Sequence, residues 1–505
     1  MKRFACVLLA AALLWAAALL PAYADPAPAA NPRTADVSAY PTITLAGGSH
    51  QLYYDENGPG RREIYNPDLT GSIISEYITP LISALLKADY DGMVDILKEA
   101  LTRIYGEAAM DENGDSLTEN VTSDLHTFAG WNLDGSRVFY SFDFRLSPME
   151  NAEKLHEFVG FLKERRGMDK FNFIATSASG SIMLAYMKLY GYDAIASLVM
   201  NISLHNGISL FEALGTGKIS IGAEALGKAK FDISGLNLPI ELQPWLRILY
   251  ETGLFDVISK ISAVGMRPWL DRVYDEILIP LIFMMPVYWT YIPVESFEEA
   301  KEFLLKGDDK YEELVKKIDR YHYEVGIHSE EILLEASEKT KLSVRVGYGK
   351  PSMPLGESVN VQGDGMVEAF RAGLGATGSP IDEPFLFCYE QEIDDGHDHI
   401  SPDRYIDAST CLLPEQTWFS YMMTHTFELS YSGWHEWWLA TDEPTVFGNE
   451  AEFPQFSEMT EPGVFVPRVV EEISPVVDLL KAIGLWLLKA WRWVVTAPLF
   501  WLKWL

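Results

Sequence analysis

A serine flanked by small residues stands between two apolar segments in the first half of the chain. The run Phe171-Asn-Phe-Ile174 leads into Ala175-Thr-Ser-Ala-Ser-Gly180, and the apolar-periodic stretch Ser181-Ile-Met-Leu-Ala-Tyr-Met187 follows. A strand, a tight turn of small residues and a helix together are typical of a nucleophile elbow, where the backbones of strand and helix nearly touch. Ala175 and Ser179 stand where the usual G-x-S-x-G pattern has glycines, so an ordinary strand-to-helix turn is the alternative interpretation. Ser177 is the candidate nucleophile.

A serine nucleophile needs a histidine base and a carboxylate that orients it, and in a sheet of this type they follow the serine in the order acid, histidine. The segment Gly363-Asp-Gly-Met-Val367 supplies Asp364, although in isolation it also fits an ordinary Asp-Gly turn. His425 comes just after the apolar run 417–421, where a histidine on the loop after the last strand is expected. Asp364 and His425 are therefore the predicted partners of Ser177.

Three other histidines also follow Asp364. His397 and His399 lie in the acidic loop Asp394-Asp-Gly-His-Asp-His399, which favours a solvated loop or a weak cation site. His435 lies among tryptophans and is interpreted as a packed side chain. None of these three positions fits the base as well as that of His425.

The oxyanion of an acyl-transfer intermediate needs backbone N–H donors. Ala178, directly after the nucleophile, is one predicted donor, and Gly48 in Gly47-Gly48, after the first strand, is the other. Glycines suit this role because the backbone can then approach the developing charge closely. A hairpin turn is the competing explanation for this glycine pair.

The charge balance is strongly acidic, with 40 Lys and Arg against 72 Asp and Glu and a formal net charge of −32. Nucleic acid is therefore excluded as a partner, because phosphate binding requires a basic face. With 48% hydrophobic and 22% charged residues the chain is globular. The length of 505 residues permits two or three domains, or one α/β domain with a large insertion, which we favour.

The first 24 residues are predicted to be an export signal. Lys2 and Arg3 precede an apolar core at 7–20, and Ala22-Tyr-Ala24 forms an A-x-A cleavage site. Residues 25–40, rich in Ala and Pro at their start, are predicted to be a flexible leader, and the protein is expected outside the cytoplasm. The mature chain then holds Cys388 and Cys411, which either pair as a disulfide or remain two buried thiols.

Strand and helix signals alternate along much of the mature chain. Strands are predicted at 42–46, 138–142, 171–175, 195–202, 342–346 and 417–421, the last of them the final strand, with helices at 81–104 and 149–165. This order predicts an α/β fold with a mostly parallel sheet and helices on both faces, built from residues 41–204 and 341–470. The alternation stops between 205 and 340, which is predicted to be a helical cap over the carboxyl edge of the sheet.

The predicted cap is unusually apolar. Four of its large side chains are candidates to line an acyl-binding pocket: Met284, Met285, Trp289 and Tyr291. The plainer interpretation, favoured for most of them, is that they form the core of the cap itself.

Several short segments resemble the lecithin:cholesterol acyltransferase group of α/β-hydrolases and its bacterial lipase-like relatives. The resemblance lies between about residues 41 and 427 and depends on four segments. The first three are Phe142-Asp-Phe-Arg-Leu-Ser-Pro148, the elbow at Ser177 and Gly363-Asp-Gly-Met-Val367. The fourth is Asp407-Ala-Ser-Thr-Cys-Leu-Leu-Pro414, which is followed by Thr417-Trp-Phe and His425. The resemblance implies an α/β-hydrolase fold, a Ser177–Asp364–His425 triad and an ester substrate with at least one acyl chain. Asp143 and Arg145 are interpreted as structural residues near the active edge, forming either an ion pair or a set of bracing hydrogen bonds.

The sequence thus predicts a secreted serine esterase or lipase, or an acyltransferase, with a non-catalytic lipid-binding protein on the same fold as the alternative. No cofactor or metal is predicted. The loop Asp111-Glu-Asn-Gly-Asp115 resembles a calcium loop only loosely, because its glycine is fourth rather than sixth and Thr122 stands where a bidentate acid is needed. It is interpreted as a solvated turn.

Residues 471–505 differ from the acidic body. At about 100° per residue, the cations Lys481, Lys489, Arg492 and Lys503 fall within roughly 80° of one helical face, and tryptophans and leucines fill the rest. Residues 473–505 are therefore predicted to be an amphipathic helix that lies on a membrane surface. A helix docked on the body is the main alternative. A spanning helix is disfavoured because it would bury Lys489 and Arg492 at about 2.5–3.5 kcal/mol each.

Overall fold

A computed structural model of the protein describes most of the chain from residue 38 onward. The described residues are 38–45, 47–48, 51–54, 62–87, 89–123, 133–219, 269–351, 361–381, 383–423, 425, 432–461, 464–470, 483–484 and 487. The predicted signal peptide, most of the leader and nearly all of the predicted tail helix lie outside them. Among the described helices, none combines the length and the apolar character that a membrane span requires.

The central element is an eight-stranded sheet. Its strands are β1 (Thr42–Leu45), β5 (Arg137–Tyr140), β6 (Phe171–Thr176), β7 (Ile195–Asn201), β8 (Lys341–Tyr348), β13 (Thr417–Tyr421), β14 (Phe456–Glu461) and β15 (Val464–Pro467). They lie in the order β15-β14-β13-β8-β7-β6-β1-β5, and every neighbouring pair is parallel except β14 and β15. The predicted α/β architecture with a mostly parallel sheet is therefore present.

Small sheets accompany the large one. Three strands form one of them, in the order β3-β2-β4: β2 (Leu52–Tyr54), β3 (Arg62–Tyr65) and β4 (Val121–Ser123). Two pairs form the others: β9 (Lys350–Pro351) with β10 (Gln362–Gly363), and β11 (Thr377–Gly378) with β12 (Ile406–Asp407). Since β1 and β2 belong to different sheets, the hairpin interpretation of Gly47-Gly48 is wrong.

Helices cover both faces of the large sheet. Ten are described: α1 (Pro67–Leu86), α2 (Tyr90–Tyr105), α3 (Pro148–Arg166), α4 (Ser179–Tyr190), α5 (Ser209–Thr216), α6 (Phe297–Leu305), α7 (Glu312–Glu324), α8 (Ser329–Lys339), α9 (Ala369–Ala372) and α10 (Gly433–Ala440). Helices α3 and α8 both pack on α4. Neighbouring residues of β6 point to opposite faces, so Phe173 packs into the main core, whereas Ile174 packs into a second core with Trp434 and Trp438 of α10.

Two predicted elements differ from the structure. The segment 81–104 is not one helix, because α1 ends at Leu86 and Asp89 caps the start of α2 by accepting a hydrogen bond from the N–H of Gly92. The strand 417–421 is present with those bounds, but it is not the last one. β14 and β15 extend the sheet beyond it, and their mixed, half-exposed sequence gives little alternation to detect.

The described parts of the insertion between β7 and β8, at 205–219 and 269–339, consist of helices and the turns that connect them, without a strand. It contains α5 to α8, a π-helix at Tyr274–Phe283 interrupted by Pro280, and a 3₁₀-helix at Pro286–Tyr291. Two backbone hydrogen bonds help to hold it: Ile208 N–H donates to Tyr291 within the insertion, and Val287 N–H donates to the carbonyl of Arg145. Helix α8 packs against both β8 and α4, and so adjoins the sheet directly.

The two cysteines do not pair. Cys388 is exposed and Cys411 is buried, and both are free thiols. Of the two alternatives left open by the sequence, the disulfide is therefore not present, and only one of the two thiols is buried.

Candidate active site

Ser177 stands in the sharp turn between β6 and α4. Its φ of +53° lies in the left-handed region that a non-glycine residue enters only when its surroundings hold it there. Its N–H donates to the carbonyl of Asn201 at 3.1 Å, and its own carbonyl accepts from the N–H of Leu204 at 2.9 Å. The neighbouring strand β7 and the residues after it therefore fix the strained turn that presents the serine hydroxyl.

The small residues of the elbow each have a local reason. Ala175 is completely buried at the end of β6, and the hydroxyl of Ser179 donates to the carbonyl of Thr176 at 2.9 Å. A Cβ atom at Gly180 would lie 2.7 Å from the Cβ atom of Ser203, which is closer than real contacts allow. The closest approach between the elbow and its surroundings is therefore at Gly180. Alanine at 175 and serine at 179 fit where the usual pattern has glycines.

The structure brings Ser177, His425 and Asp364 together. Ser177 Oγ lies 2.7 Å from His425 Nε2, and His425 Nδ1 lies 2.8 Å from Asp364 Oδ2. If Nδ1–H donates to the carboxylate, Nε2 is left as the acceptor for the serine O–H. This arrangement is the one a nucleophilic serine needs, although Ser177 and His425 are 248 residues apart in sequence.

The carboxylate of Asp364 is held by its own loop. Its Oδ1 accepts hydrogen bonds from the N–H groups of Met366 and Val367, both at 2.8 Å, so Oδ2 is left to face the imidazole. Gly365 has a φ of +100°, which only glycine adopts readily, and so lets the loop turn back beneath the carboxylate. The predicted Asp-Gly turn and the predicted acid are thus the same feature.

Gly347 of β8 also belongs to the site, and sequence reasoning missed it. A Cβ atom there would lie 2.6 Å from the Cβ atom of Asp364 and 3.2 Å from the carbonyl oxygen of Met423. Its only sequence signal is a glycine near the end of a buried strand, which marks a close backbone approach without identifying the partner.

We expect Gly347→Ala to lower kcat for ester hydrolysis by about 10²-fold, since the new methyl group must push Asp364 away from His425 and small displacements carry costs of that order. Steady-state kinetics on a soluble p-nitrophenyl ester will measure the effect. Gly160→Ala, where a Cβ atom meets nothing within 4 Å, is the matched control and should keep full activity. Equal activity in both variants would contradict this role for Gly347.

The two predicted oxyanion donors are not both available. The N–H of Ala178 donates to the carbonyl of Gly47 at 3.2 Å. Gly48 follows directly and is partly exposed. The glycine pair therefore does lie against the elbow as predicted, but in this structure it presents an acceptor to Ala178 rather than a second donor. The assignment of Gly48 and Ala178 as oxyanion donors stays a prediction.

The three other histidines that follow Asp364 contact residues other than Ser177. His397 stacks on Phe447 at 3.6 Å, and His399 is fully buried, with Nδ1 3.1 Å from Gln455 and Nε2 3.0 Å from Asp395. The interpretation of His399 as part of a solvated loop is therefore wrong. His435 is packed, as predicted, with its ring 6.3 Å from that of Trp438.

The four candidate acyl-lining residues are all buried in the insertion: Met284, Met285, Trp289 and Tyr291. Trp289 Nε1 donates to the carbonyl of Phe283, and the ring of Tyr291 packs edge-on against Phe211. They thus form part of the core of the insertion.

Trp289 also borders a small cavity that His205 lines. Burial lowers the pKa of His205 to about 4, so its imidazole is neutral at physiological pH.

Asp143 and Arg145 form an ion pair, with Arg145 Nη2 2.7 Å from Asp143 Oδ2 and both side chains buried.

In the loop Asp111-Glu-Asn-Gly-Asp115, the ammonium of Lys317 donates to the carbonyl of Gly114 and to the carboxylate of Asp115. The described residues contain no cluster of acidic, histidine or cysteine side chains that could hold a metal ion.

Neither a scan against protein-family models nor a search of curated proteins finds a match to this chain. A hydroxyl, an imidazole and a carboxylate aligned in this order can generate a serine alkoxide and carry its proton to a leaving group.

Proposed function

We propose that the protein is a serine hydrolase that cleaves carboxylic esters through an acyl-enzyme. The observation that carries the proposal is the continuous hydrogen-bond relay from Ser177 through His425 to Asp364. In the first half of the reaction Ser177 Oγ attacks the ester carbonyl carbon while His425 Nε2 takes its proton. His425 then gives that proton to the departing alcohol, and Asp364 stabilises the imidazolium throughout.

The second half of the reaction regenerates the serine. Water attacks the acyl-enzyme, His425 takes its proton, and the acid leaves as the proton returns to Ser177 Oγ. An alcohol in place of the water would give acyl transfer. Both reactions use the same three residues, and we propose hydrolysis as the primary activity.

The proposed fold is that of the α/β-hydrolases, and the strand order supports it. The serine follows β6, the acid comes after β8 and the histidine follows β13, so all three lie beyond the carboxyl ends of parallel strands of one sheet. The chain order serine, aspartate, histidine is also the order expected for that fold.

We propose a lipid ester as the substrate. The insertion between β7 and β8 supports this class, because its described part is rich in buried aromatic and aliphatic side chains. The segments that resemble the lecithin:cholesterol acyltransferase group point to the same class of substrate.

A fluorophosphonate probe tests the proposal directly, because it phosphonylates only an activated serine. We expect labelling at Ser177, mapped by mass spectrometry of the tryptic peptide, and competition by a long-chain ester. Ser179 and Ser181 are internal controls, since their hydroxyls donate to backbone carbonyls and contact no histidine. Labelling that persists after heat denaturation, or that falls on those serines, would count against an activated Ser177.

A non-catalytic lipid-binding protein is the second candidate, and one observation favours it. The N–H of Ala178 is occupied by the carbonyl of Gly47, so the site as it stands offers no free donor at that position to an oxyanion. This candidate predicts that lipid is bound without being hydrolysed and that the fluorophosphonate does not react.

We further propose that the protein is exported and works at a membrane surface, through residues 473–505. Deleting these residues should release the protein from zwitterionic liposomes, because apolar and aromatic burial supplies most of the affinity of an interfacial helix. Activity on a short soluble ester should stay within about twofold, since Ser177, Asp364 and His425 all lie outside the deleted segment. Liposome sedimentation and ester kinetics measure the two effects. Truncated protein that still sediments, or that unfolds, would instead support a docked helix.

A further inference from the structure

The peptide unit that joins Gly47 to Gly48 lies where an oxyanion donor would be needed. Its carbonyl accepts the N–H of Ala178 at 3.2 Å. The C=O and N–H of a trans peptide point in opposite directions, so the N–H of Gly48 faces away from the elbow when the carbonyl faces it. One predicted donor is thus covered and the other is turned outward by the same peptide unit.

In the observed conformation, steric crowding accounts for the glycine at 47, whereas nothing requires a glycine at 48. A Cβ atom at Gly47 would lie 3.1 Å from Thr176 Cγ2, which is tighter than ordinary contacts. At Gly48 a Cβ atom would meet nothing within 4 Å, and the φ of Gly48 is not positive. Alanine could therefore occupy position 48 in this structure without strain or collision.

A rotation of this peptide plane reverses the arrangement. Turning it by about 180° changes only ψ of Gly47 and φ of Gly48, both rotations about single bonds. The Gly47 carbonyl then leaves Ala178, and the N–H of Gly48 takes its place facing the elbow. Since φ of Gly48 is not positive now, it becomes positive after the rotation, in a region that glycine enters freely and alanine does not.

We infer that the Gly47–Gly48 peptide is a two-position switch that closes the oxyanion site at rest and completes it when rotated. The inference rests on the proposed serine-hydrolase function. In the closed position the N–H of Ala178 donates to the neutral carbonyl of Gly47. During the reaction it would instead donate to the substrate oxygen, which gains negative charge. Charge-assisted hydrogen bonds are stronger than neutral ones, so the intermediate favours the position with two donors.

The switch makes Gly48 necessary for turnover but not for folding. We expect Gly48→Ala to keep the thermal midpoint of the native protein and to lose about 10²–10³-fold in kcat, the effect of one missing oxyanion donor. Gly160→Ala is again the matched control, because it too has free space and no positive φ. Gly48→Asn should lose less than Gly48→Ala although asparagine is larger, since asparagine tolerates positive φ better. Full activity of Gly48→Ala, or losses that follow side-chain size, would overturn the switch.

A crystal structure of the wild-type protein phosphonylated at Ser177 provides the direct test. We expect the N–H groups of Gly48 and Ala178 to donate to the phosphoryl oxygen, with the Gly47 carbonyl turned away. An adduct in which the Gly47 carbonyl still accepts from Ala178 would refute the switch and leave the hydrolase proposal standing. Wild-type protein that neither reacts with the probe nor hydrolyses any ester would instead refute the hydrolase proposal, and the switch with it.

Discussion

Ser177→Ala is expected to lower kcat for ester hydrolysis by about 10⁶-fold and to abolish fluorophosphonate labelling, because loss of a serine nucleophile has costs of that order. The variant removes only the hydroxyl that contacts His425 Nε2. Alanine and serine have similar difficulty with the φ of +53° at this position, so the elbow should keep its conformation.

The measurements are kcat/KM on a p-nitrophenyl ester and the thermal midpoint by circular dichroism. The midpoint should change little, because water can reach the partly exposed ring of His425 and replace the lost hydroxyl. Residual activity within tenfold of the parent would show that another residue is the nucleophile. If Ser177→Ala loses the circular dichroism signal of the folded protein, Ser177→Cys is the replacement variant, because its thiol keeps a nucleophile at the same position.

Asp364→Asn should reduce kcat by about 10⁴-fold near neutral pH, which is the scale of the effect when the orienting carboxylate of a triad becomes an amide. The amide oxygen of this variant can still accept from the N–H groups of Met366 and Val367, so its NH₂ group would face His425 Nδ1. The ring must then accept at Nδ1 and carry its proton on Nε2. In that tautomer His425 cannot take the proton of Ser177.

A second Asp–His pair in the molecule provides the matched control for this change. Asp395 Oδ2 lies 3.0 Å from His399 Nε2, outside the serine site. Asp395→Asn removes the same charge from the same kind of pair, and it should leave kcat for the soluble ester within about twofold. Equal losses in the two variants would show that Asp364 acts through the stability of the fold, whereas a loss confined to Asp364→Asn supports its role in orienting His425.

Much of the fold could be predicted from local patterns in the sequence. The strands β6, β7, β8 and β13 were predicted within two or three residues, because each is an apolar run bounded by turn residues. The break before Asp89 is not apparent from apolar spacing, which continues across it, and the local signal for the second helix is the capping side chain of Asp89. Sequence patterns do not show β14 and β15, because both strands are partly exposed, β15 at the edge of the sheet and β14 beside it, and so carry a weak apolar pattern.

The three members of the proposed triad and their order along the chain could be predicted from sequence, since elbow, Asp-Gly loop and histidine after a strand are each local patterns. That Ser177, Asp364 and His425 meet is visible in the folded chain alone, because their contact depends on which strands become neighbours in the sheet. The tertiary structure also decided that Gly347 approaches Asp364 and that the Gly47 carbonyl covers Ala178. A glycine in the sequence can mark such a close approach, but it does not identify the partner, because every residue carries the same carbonyl and nearly every one the same N–H.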